Sequence, residues 1–338
     1  MILKKRVGSQ TVEIKSKISI VSGGTVAGKK ESEGPFKDFF DIRLENAEWE
    51  QKTWEKTESK MQKEAALKAI EKSHILLEEI NYIFGGDLLN QCISSSYAMR
   101  ELNIPFFGLY GACSTIIEGL SLASMIIDGG FAENILAISS SHFCTAERQY
   151  RTPLEYGGQR TPTSQWTVTG SGAMILSSTG NGPYVTHITT GKIIDYGVKD
   201  PNNMGAAMAP AACDTLKRHF KDTKRKPEFY DIILSGDLGI VGKEMVCDIL
   251  EKEGYNLSKN YEDAGCLIFD IKKQGVFAGG SGCGCMAIMF CGWMLKQLLK
   301  KNFKNVLVMA TGALMSPTSS LQGETIPGIA HAVSISTV

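Results

Sequence analysis

The chain has 338 residues, of which 43% are hydrophobic and 21% are charged, and its 36 lysines and arginines equal its 36 aspartates and glutamates. These values are typical of a globular protein with a large core, and the balanced charge argues against nucleic acid as a partner. Nine cysteines without the spacing of a small disulfide-rich domain favour a reducing compartment. The charged residues 1–6 precede no apolar segment, and the longest apolar run, Met286 to Leu295, is about half of what spans a bilayer. We therefore expect a cytoplasmic protein, or one held at a membrane surface by partners.

The first helical pattern lies in residues 44–73, a charge-rich stretch. Met61, Ala65 and Ile70 recur within it at helical spacing. One apolar face among many charges predicts a helix on the protein surface.

Cys113 lies between the next predicted strand and the next predicted helix. Ile104 to Leu109 is a short apolar run that predicts a buried strand, and Ala112 to Ile127 is a helical stretch whose only charge is Glu118. Cys113 would lie at the N-terminus of that helix, where partial positive charge lowers the pKa of a thiol and favours an anion. We expect this position to hold a nucleophile or to bind an anionic ligand.

The chain is internally duplicated. Asn81–Leu88 parallels Asp231–Leu238, and each half alternates strands with helices. Such alternation predicts parallel strands joined by right-handed crossovers. We place the two halves at residues 1–180 and 181–338.

Two long helices are apolar nearly all round. They are predicted at residues 112–128 and 284–299, and helices of this kind are buried between layers. Residues 143–169 are instead rich in threonine, proline, glycine and arginine. This segment is predicted to be an irregular excursion over the active face.

No motif for a metal or a cofactor is complete. Cys283-Gly284-Cys285 lacks the second pair of cysteines or histidines that a zinc site needs. The glycine-rich run Gly23 to Lys29 is followed by Lys30, where a phosphate-binding loop needs serine or threonine. We therefore expect no metal and no cofactor.

The duplicated pattern resembles the thiolase superfamily over most of the chain, and within it the ketoacyl synthase III enzymes. Gly111-Ala112-Cys113 resembles their nucleophile turn, and Ala310–Ala313 resembles their C-terminal glycine-rich turn. The resemblance implies a thiolase-like α/β fold, with two similar βα halves in a five-layer αβαβα arrangement. It also implies a homodimer, whose interface we expect at an edge strand near Ile135–Ser139.

The polar partners of that nucleophile are missing. In the enzymes that this chain resembles, a histidine and an asparagine or second histidine assist the cysteine. Here Ser235-Gly236 stands where Pro-His is expected, and Gly279-Gly280-Ser281-Gly282 stands where Gly-Asn-Thr-Ser is expected. Glycine offers no side-chain donor, and the loss of one oxyanion donor costs roughly 10²–10³ in rate. We therefore expect no ordinary condensation activity.

Longer strings are similar to a non-catalytic family of this superfamily, that of stage V sporulation protein AD from spore-forming bacteria. They are Tyr110–Thr115, Ser139–Tyr150 and Gly157–Thr167. The resemblance implies that the protein binds dipicolinic acid, alone or as its Ca²⁺ chelate, for uptake into the developing spore and release at germination. It implies channel proteins of the spore inner membrane as partners.

Dipicolinate is a flat pyridine with two carboxylates, so its site would combine oriented N–H groups, cations and an apolar wall. His142 would end a parallel strand at the ligand-binding edge, although a structural histidine bonded to a backbone carbonyl is an equal alternative. Gly236 and Gly280 would leave volume for the ring, and Arg160 is a further cation on the excursion. The candidate ligand-binding residues are Ala112, Cys113, His142, Phe143, Arg148, Arg151, Gly236, Gly280, Ser281 and His331.

Two other functions stay open at this point. Cys113 could act as the nucleophile of an acyltransferase or condensing enzyme on acyl-CoA, with a partner such as His142. The absence of a clear basic patch for the phosphates of CoA weakens this alternative. The protein could also be a scaffold whose pocket is vestigial.

Overall fold

The fold is described by a computed structural model over residues 5–150 and 160–338. The main strands of the first half are β2 (Ser19–Ala27), β4 (Tyr82–Gly86), β5 (Phe106–Gly108), β6 (Asn134–Ser141) and β8 (Gly170–Ser177). Those of the second half are β9 (Tyr184–Thr189), β10 (Ile232–Gly236), β11 (Tyr261–Asp263), β13 (Asn305–Ala313) and β14 (Gly328–Ser336). The short strands are β1 (Thr11–Glu13), β3 (Ile42–Arg43), β7 (Trp166–Thr167) and β12 (Gly280–Ser281).

The helices of the first half are α1 (Trp54–Ser73), α2 (Ile93–Arg100), α3 (Thr115–Asp128) and α4 (Phe143–Tyr150). Those of the second half are α5 (Met204–Thr223), α6 (Gly239–Lys252), α7 (Ala264–Leu267), α8 (Ile271–Gln274), α9 (Cys283–Ile288), α10 (Leu295–Leu299) and α11 (Pro317–Leu321). A π-helical segment, Met289–Met294, joins α9 to α10 without a break.

The two halves have the same sheet topology. The strand order is β5-β4-β6-β8-β2 in the first half and β11-β10-β13-β14-β9 in the second. In each half, the strand next to the edge strand (β4 or β10) pairs in parallel with both of its neighbours. The remaining two pairings in each order are antiparallel: β6 with β8 and β8 with β2 in the first half, and β13 with β14 and β14 with β9 in the second. The sheets meet where Ser19 of β2 pairs with Tyr184 of β9. This repetition is the duplication that the sequence predicts.

Helices and sheets alternate in five layers. Helices α3 and α9 lie between the two sheets and contact strands of both halves. Ile116, Ile117 and Leu120 of α3 are fully buried there, as a helix with apolar side chains on all faces requires. Helices α1 and α2 cover the outer face of the first sheet, and α5 and α6 cover that of the second. The thiolase-like α/β fold is therefore confirmed.

Helix α1 begins later than the charge-rich segment. The Thr53 hydroxyl accepts a hydrogen bond from the Lys56 N–H and caps the helix, which ends at His74 in the left-handed conformation. Met61 and Ala65 are fully buried against the sheet. The apolar face of this surface helix is the one that the sequence predicts.

The order of the first sheet corrects two expectations. Strand β5 was expected to be buried, but it is the edge strand, and Phe107 is 53% exposed. The segment Ile135–Ser139 was expected at an edge, but it lies in β6, between β4 and β8. An apolar run indicates at least one covered face and does not distinguish an edge strand from a central one. The predicted excursion also starts as a regular element, because residues 143–150 form α4.

Candidate functional site

Cys113 lies in a tight turn just before α3. Ala112 has a φ of 49°, in the left-handed region that is strained for residues with a side chain. Hydroxyl groups hold the turn: Ser114 donates to the Gly111 carbonyl at 2.7 Å, and Thr115 donates to the Ala112 carbonyl at 2.7 Å. The turn also touches β13, because a Cβ on Gly312 would lie 2.1 Å from the Gly111 carbonyl oxygen.

The second half supplies a hydroxyl group beside this thiol. The Cys113 Sγ lies 3.7 Å from the Oγ of Ser281, which belongs to β12. Strand β12 pairs with β7, with Ser281 opposite Thr167. The predicted site residues Cys113 and Ser281 are therefore brought together across the boundary between the halves.

A small cavity opens beside the thiol. Its volume is about 40 Å³, enough for about three water molecules but not for a ring that carries two carboxylates. Its lining residues are Leu88, Tyr110, Ala112, Cys113, Ala146, Glu147, Tyr150, Thr167, Met204, Ser281, Gly282, Ala313 and Met315. Three of the predicted site residues, Ala112, Cys113 and Ser281, belong to this lining.

The thiol is protonated at neutral pH, contrary to the expectation from its place before a helix. Burial and the neighbouring Asp237 raise the pKa of Cys113 to about 12, while the Ser281 hydroxyl and the Gly282 N–H lower it in part. Desolvation and a nearby acid therefore outweigh the positive end of α3. Cys113 is 6% exposed, and a raised pKa of this kind disfavours the thiolate form.

Among the described residues, no histidine belongs to the lining of this cavity. His142 is fully buried, its Nε2 lies 2.9 Å from the Ala47 carbonyl oxygen, and its Nδ1 accepts from the Cys144 N–H. Since Nε2 carries the proton, this is the structural alternative of a histidine bonded to a backbone carbonyl. His331, on β14, accepts from the Gly191 N–H, and burial lowers its pKa to about 4.

His142 and Phe143 line a second cavity, of about 210 Å³. The Phe143 ring stacks on Trp166 with centroids 4.1 Å apart, and the Lys30 ammonium lies 4.1 Å from the Trp166 centroid. The Arg160 guanidinium lies over both rings. Phe143 is not among the residues that line the Cys113 cavity.

The arginines of the excursion differ in their surroundings. Arg160 pairs with Glu147 at 2.8 Å, and Glu147 lines the Cys113 cavity. Arg148 pairs with Glu55 and lies over Trp54, outside that lining. Arg151 lies outside the described residues.

The space that the sequence predicts beside Gly236 and Gly280 is occupied by other side chains. A Cβ on Gly236 would lie 2.7 Å from the Met286 Cβ. A Cβ on Gly280 would lie 3.0–3.1 Å from side-chain atoms of Ile268, Phe269 and Val168. Apolar side chains of the core therefore fill the space in which a ligand ring was expected.

From the sequence, Tyr150 is a possible wall of the ligand site, but its contact with Tyr110 at the mouth of the cavity was not predicted. The Tyr110 and Tyr150 hydroxyls are 3.2 Å apart, and the Tyr150 hydroxyl donates to the Leu88 carbonyl at 2.6 Å. Burial raises the pKa of Tyr150 to about 12. Because Tyr110 directly precedes the nucleophile turn, its place at the site could have been predicted from the sequence. Its contact with Tyr150 could not, because no spacing pattern links the two residues.

Two comparisons by sequence match nearly the whole chain. The family model of stage V sporulation protein AD matches residues 8–336. Stage V sporulation protein AD of Bacillus subtilis (strain 168) is 46% identical over 329 residues, which cover 97% of each chain.

Solved structures of condensing enzymes share the fold. The 3-oxoacyl-[acyl-carrier-protein] synthase III of Aquifex aeolicus VF5 aligns with a TM-score of 0.59 and 15% identity, over 94% of this chain and 99% of that one. A histidine-to-alanine variant of OleA from Xanthomonas campestris aligns with a TM-score of 0.61 and 15% identity, over 96% and 99%. At these identities the likeness shows the fold alone.

Proposed function

Because the chain belongs to the family of stage V sporulation protein AD, we propose that this sporulation protein binds dipicolinic acid without catalysing a reaction on it. It would serve uptake of the ligand into the developing spore and its release at germination. The observation that carries the proposal is the state of Cys113. Its thiol is buried and protonated, and no histidine of the described chain lies in the cavity lining.

A condensing enzyme needs a thiolate and a group that moves protons or stabilises an oxyanion. The described groups around Cys113 include the Ser281 hydroxyl, the Cys283 thiol and Asp237, and the carboxyl raises the pKa of the Cys113 thiol. This chemistry does not favour the acyltransferase alternative. It leaves a cavity with backbone N–H groups, hydroxyls and apolar walls, which suits binding.

The ligand would enter by displacing the side chains at the mouth. Tyr110 is 45% exposed, and the methionines Met204 and Met315 have unbranched side chains that repack at low cost. The Arg160–Glu147 pair beside the cavity would offer its guanidinium to a ligand carboxylate. Opening of the Tyr110–Tyr150 contact is the rearrangement that the small cavity volume requires.

We also propose that the protein is a homodimer through the edge strand β5. An apolar depression of about 350 Å³ lies there, lined by Tyr82, Phe84, Phe107, Leu109, Leu122, Ile126 and Phe131. Phe131 is 73% exposed. Within the described chain, β5 is the last strand at this edge of the sheet, so its outer edge is unpaired. No helix in the described parts of the chain is long and apolar enough to cross a bilayer. Contact with spore membrane channel proteins is part of the same proposal.

Calorimetric titration with dipicolinate, with and without Ca²⁺, tests the proposed function. We expect saturable binding by the wild type, with a Kd near 1 μM, which is about −8 kcal/mol. Ser281→Leu should fill the cavity and abolish binding, whereas Ser258→Leu makes the same change on an exposed loop and should leave binding intact.

Two outcomes would contradict the proposal. One is no binding at millimolar dipicolinate. The other is binding that Ser281→Leu leaves unchanged in a folded protein. Acylation of Cys113 by acetyl-CoA, detected by peptide mass, would support the enzymatic alternative.

A further inference from the structure

A polar groove lies between helices α1 and α2 and shares no lining residue with the Cys113 cavity. Its volume is about 770 Å³, within the range of sites that bind ligands. Side chains at matched helical spacing line its two sides. They are Lys56, Lys60 and Lys63 from α1, and Ile93, Tyr97 and Arg100 from α2. Each set spans about 10 Å along one face of its helix.

The lining of the groove carries more cations than acids. Its cations are Lys56, Lys60, Lys63 and Arg100, and its acids are Glu55, Glu64 and Glu101. Lys63 pairs with Glu101, and Glu55 pairs with Arg148 of α4, which lies outside the lining. Two of the three acids are therefore already neutralised by other side chains.

Two cations of the lining remain without an ion pair. Within residues 5–150 and 160–338, no carboxylate lies at ion-pair distance from the Lys56 ammonium or the Arg100 guanidinium. The Arg100 guanidinium lies 4.9 Å from the ring centroid of Tyr97, and Tyr97 is 50% exposed. Tyrosine and arginine are among the residue types that contribute most to binding energy in protein interfaces.

A buried hydroxyl in the same lining also lacks a partner. Ser94 is 1% exposed, and its Oγ has no hydrogen-bond partner in the described parts of the chain. Its carbonyl, by contrast, accepts from the Ser59 hydroxyl at 3.0 Å, so the two helices are joined at this point. An unpaired buried polar group needs an explanation, and an occupant of the groove would supply the missing partner.

The second half of the duplicated chain has uncharged residues at the positions of the three lysines. Helix α5 is the counterpart of α1, because both have 20 residues, both follow a capping side chain (Thr53 or Asn203), and they begin 150 positions apart. The residues of α5 that correspond to the lysines are Ala206, Pro210 and Cys213. Pro210 and Cys213 are buried. The fold therefore does not require lysines on this face.

The second half also fills the corresponding space with a longer helix. Helix α6 has 14 residues, whereas its counterpart α2 has 8. A Cβ on Gly205 of α5 would lie 2.6 Å from the Leu238 carbonyl oxygen and 3.0 Å from the Gly242 nitrogen. The counterpart of Gly205 is Glu55, which lines the groove. The groove therefore occurs in the first half at the place where the second half packs two helices together.

We propose that the groove between α1 and α2 binds an acidic peptide segment of a partner protein. Carboxylates of that segment would pair with Lys56 and Arg100, and an apolar side chain would contact Ile93 and Tyr97. A groove lined by two helices fits a peptide segment better than it fits the flat surface of a bilayer. This proposal goes beyond the proposed function, because it does not depend on what the Cys113 cavity binds.

Selection from a display library of random peptides, each about twelve residues long, tests the proposal with no assumption about the partner's sequence. The full-length protein is immobilised as the target. We expect the selected peptides to contain more glutamate and aspartate than the starting library. A selected peptide labelled with fluorescein should bind in solution with a Kd of about 10 μM. Its Kd should rise about tenfold between about 50 and about 300 mM salt, because the charges are exposed.

Reversal of the two unpaired cations locates the binding site. Lys56→Glu combined with Arg100→Glu should raise the Kd of the peptide by about tenfold or more. The matched control is Arg43→Glu combined with Lys272→Glu, which changes the net charge equally at exposed positions outside the lining and should leave the Kd within about twofold. If circular dichroism shows that the reversals unfold the protein, Lys56→Gln combined with Arg100→Gln should still raise the Kd by about threefold.

Four results would overturn the proposal. The first two are a selection that enriches no peptide and one whose peptides have no excess of acidic residues. The third is equal affinity of a selected peptide for the wild type and for the folded groove variant. The fourth is binding to phosphatidylglycerol vesicles without binding to acidic peptides, which would assign these cations to a membrane surface. No dipicolinate is used, so a failure here is distinguishable from a failure of the proposed ligand.

Discussion

The sulfur of Cys113 and the hydroxyl oxygen of Ser281 lie 3.7 Å apart, one from each half of the duplicated chain. Cys113 precedes the central helix of the first half, and Ser281 precedes that of the second. The site is therefore formed where the N-terminal ends of two buried helices meet. Burial raises the pKa of the Cys113 thiol at this junction to about 12.

Ser281→Ala should make Cys113 less reactive. The Ser281 hydroxyl lowers the pKa of the thiol, so its loss should raise that pKa further. We expect alkylation by iodoacetamide at pH 9 to slow by about threefold, equivalent to about half a pKa unit. Ser124→Ala, which removes a hydroxyl bonded to the Leu120 carbonyl within α3, is the control. Faster alkylation of Cys113 in Ser281→Ala would contradict the assigned contact.

Gly236→Ala should destabilise the protein because Met286 already occupies the space. The added methyl would lie 2.7 Å from the Met286 Cβ, and overpacking of this kind costs about 1–3 kcal/mol. Urea unfolding measures the change. Gly119→Ala in α3 is the control, since its Cβ would meet only ordinary contacts at 3.5 Å or more. If Gly236→Ala is neutral, the volume there is available to a ligand after all.

The sequence predicts the fold but only part of the candidate site, because the site depends on contacts between residues that are distant in the chain. The layers follow from the composition of single segments, such as an apolar helix after Cys113 that must be buried on all faces. The occupancy of the Gly236 site depends on Met286, which is distant in the chain and arrives by tertiary packing.

His142→Ala should affect stability more than ligand binding. The substitution leaves the Ala47 carbonyl and the Cys144 N–H without their side-chain partner, which costs about 1–3 kcal/mol. Chemical denaturation should show this decrease, while calorimetry should find the dipicolinate Kd within twofold of the wild type. His74→Asn, at the exposed end of α1, is the control. A Kd that rises tenfold in folded His142→Ala would place the ligand in the second cavity.

Stability should fall as the pH rises from 6 to 8, because a buried acid must lose its proton. Glu58 accepts from the Ser140 and Thr145 hydroxyls, and burial with the nearby Asp87 raises its pKa to about 8. The folded state holds this proton more tightly than the unfolded state, so the contribution is complete below pH 4.5 and is lost as the pH approaches 8. One such group gives a slope of about 1.4 kcal/mol per pH unit.

Glu58→Gln should flatten this slope, while Glu78→Gln, an exposed change of the same kind, should not. Glu31, whose pKa burial raises to about 7, titrates in the same direction, so part of the slope should remain. Urea titrations at several pH values measure it. An unchanged slope in Glu58→Gln would show that Glu58 is already ionised in the folded protein.

Phe107→Glu should convert the proposed dimer into a monomer. Phe107 is 53% exposed on the edge strand β5 and, with Phe131, lines the apolar depression. A stable dimer buries about 1,200–2,000 Å² in total, and a charge at the centre of an apolar face opposes that burial. Sedimentation at about 10 μM should find a dimer for the wild type and a monomer for the variant. Tyr196→Glu, at a 78% exposed aromatic residue of the second half, should stay dimeric. A monomeric wild type would refute the dimer, whereas a dimeric Phe107→Glu would place its interface on another face.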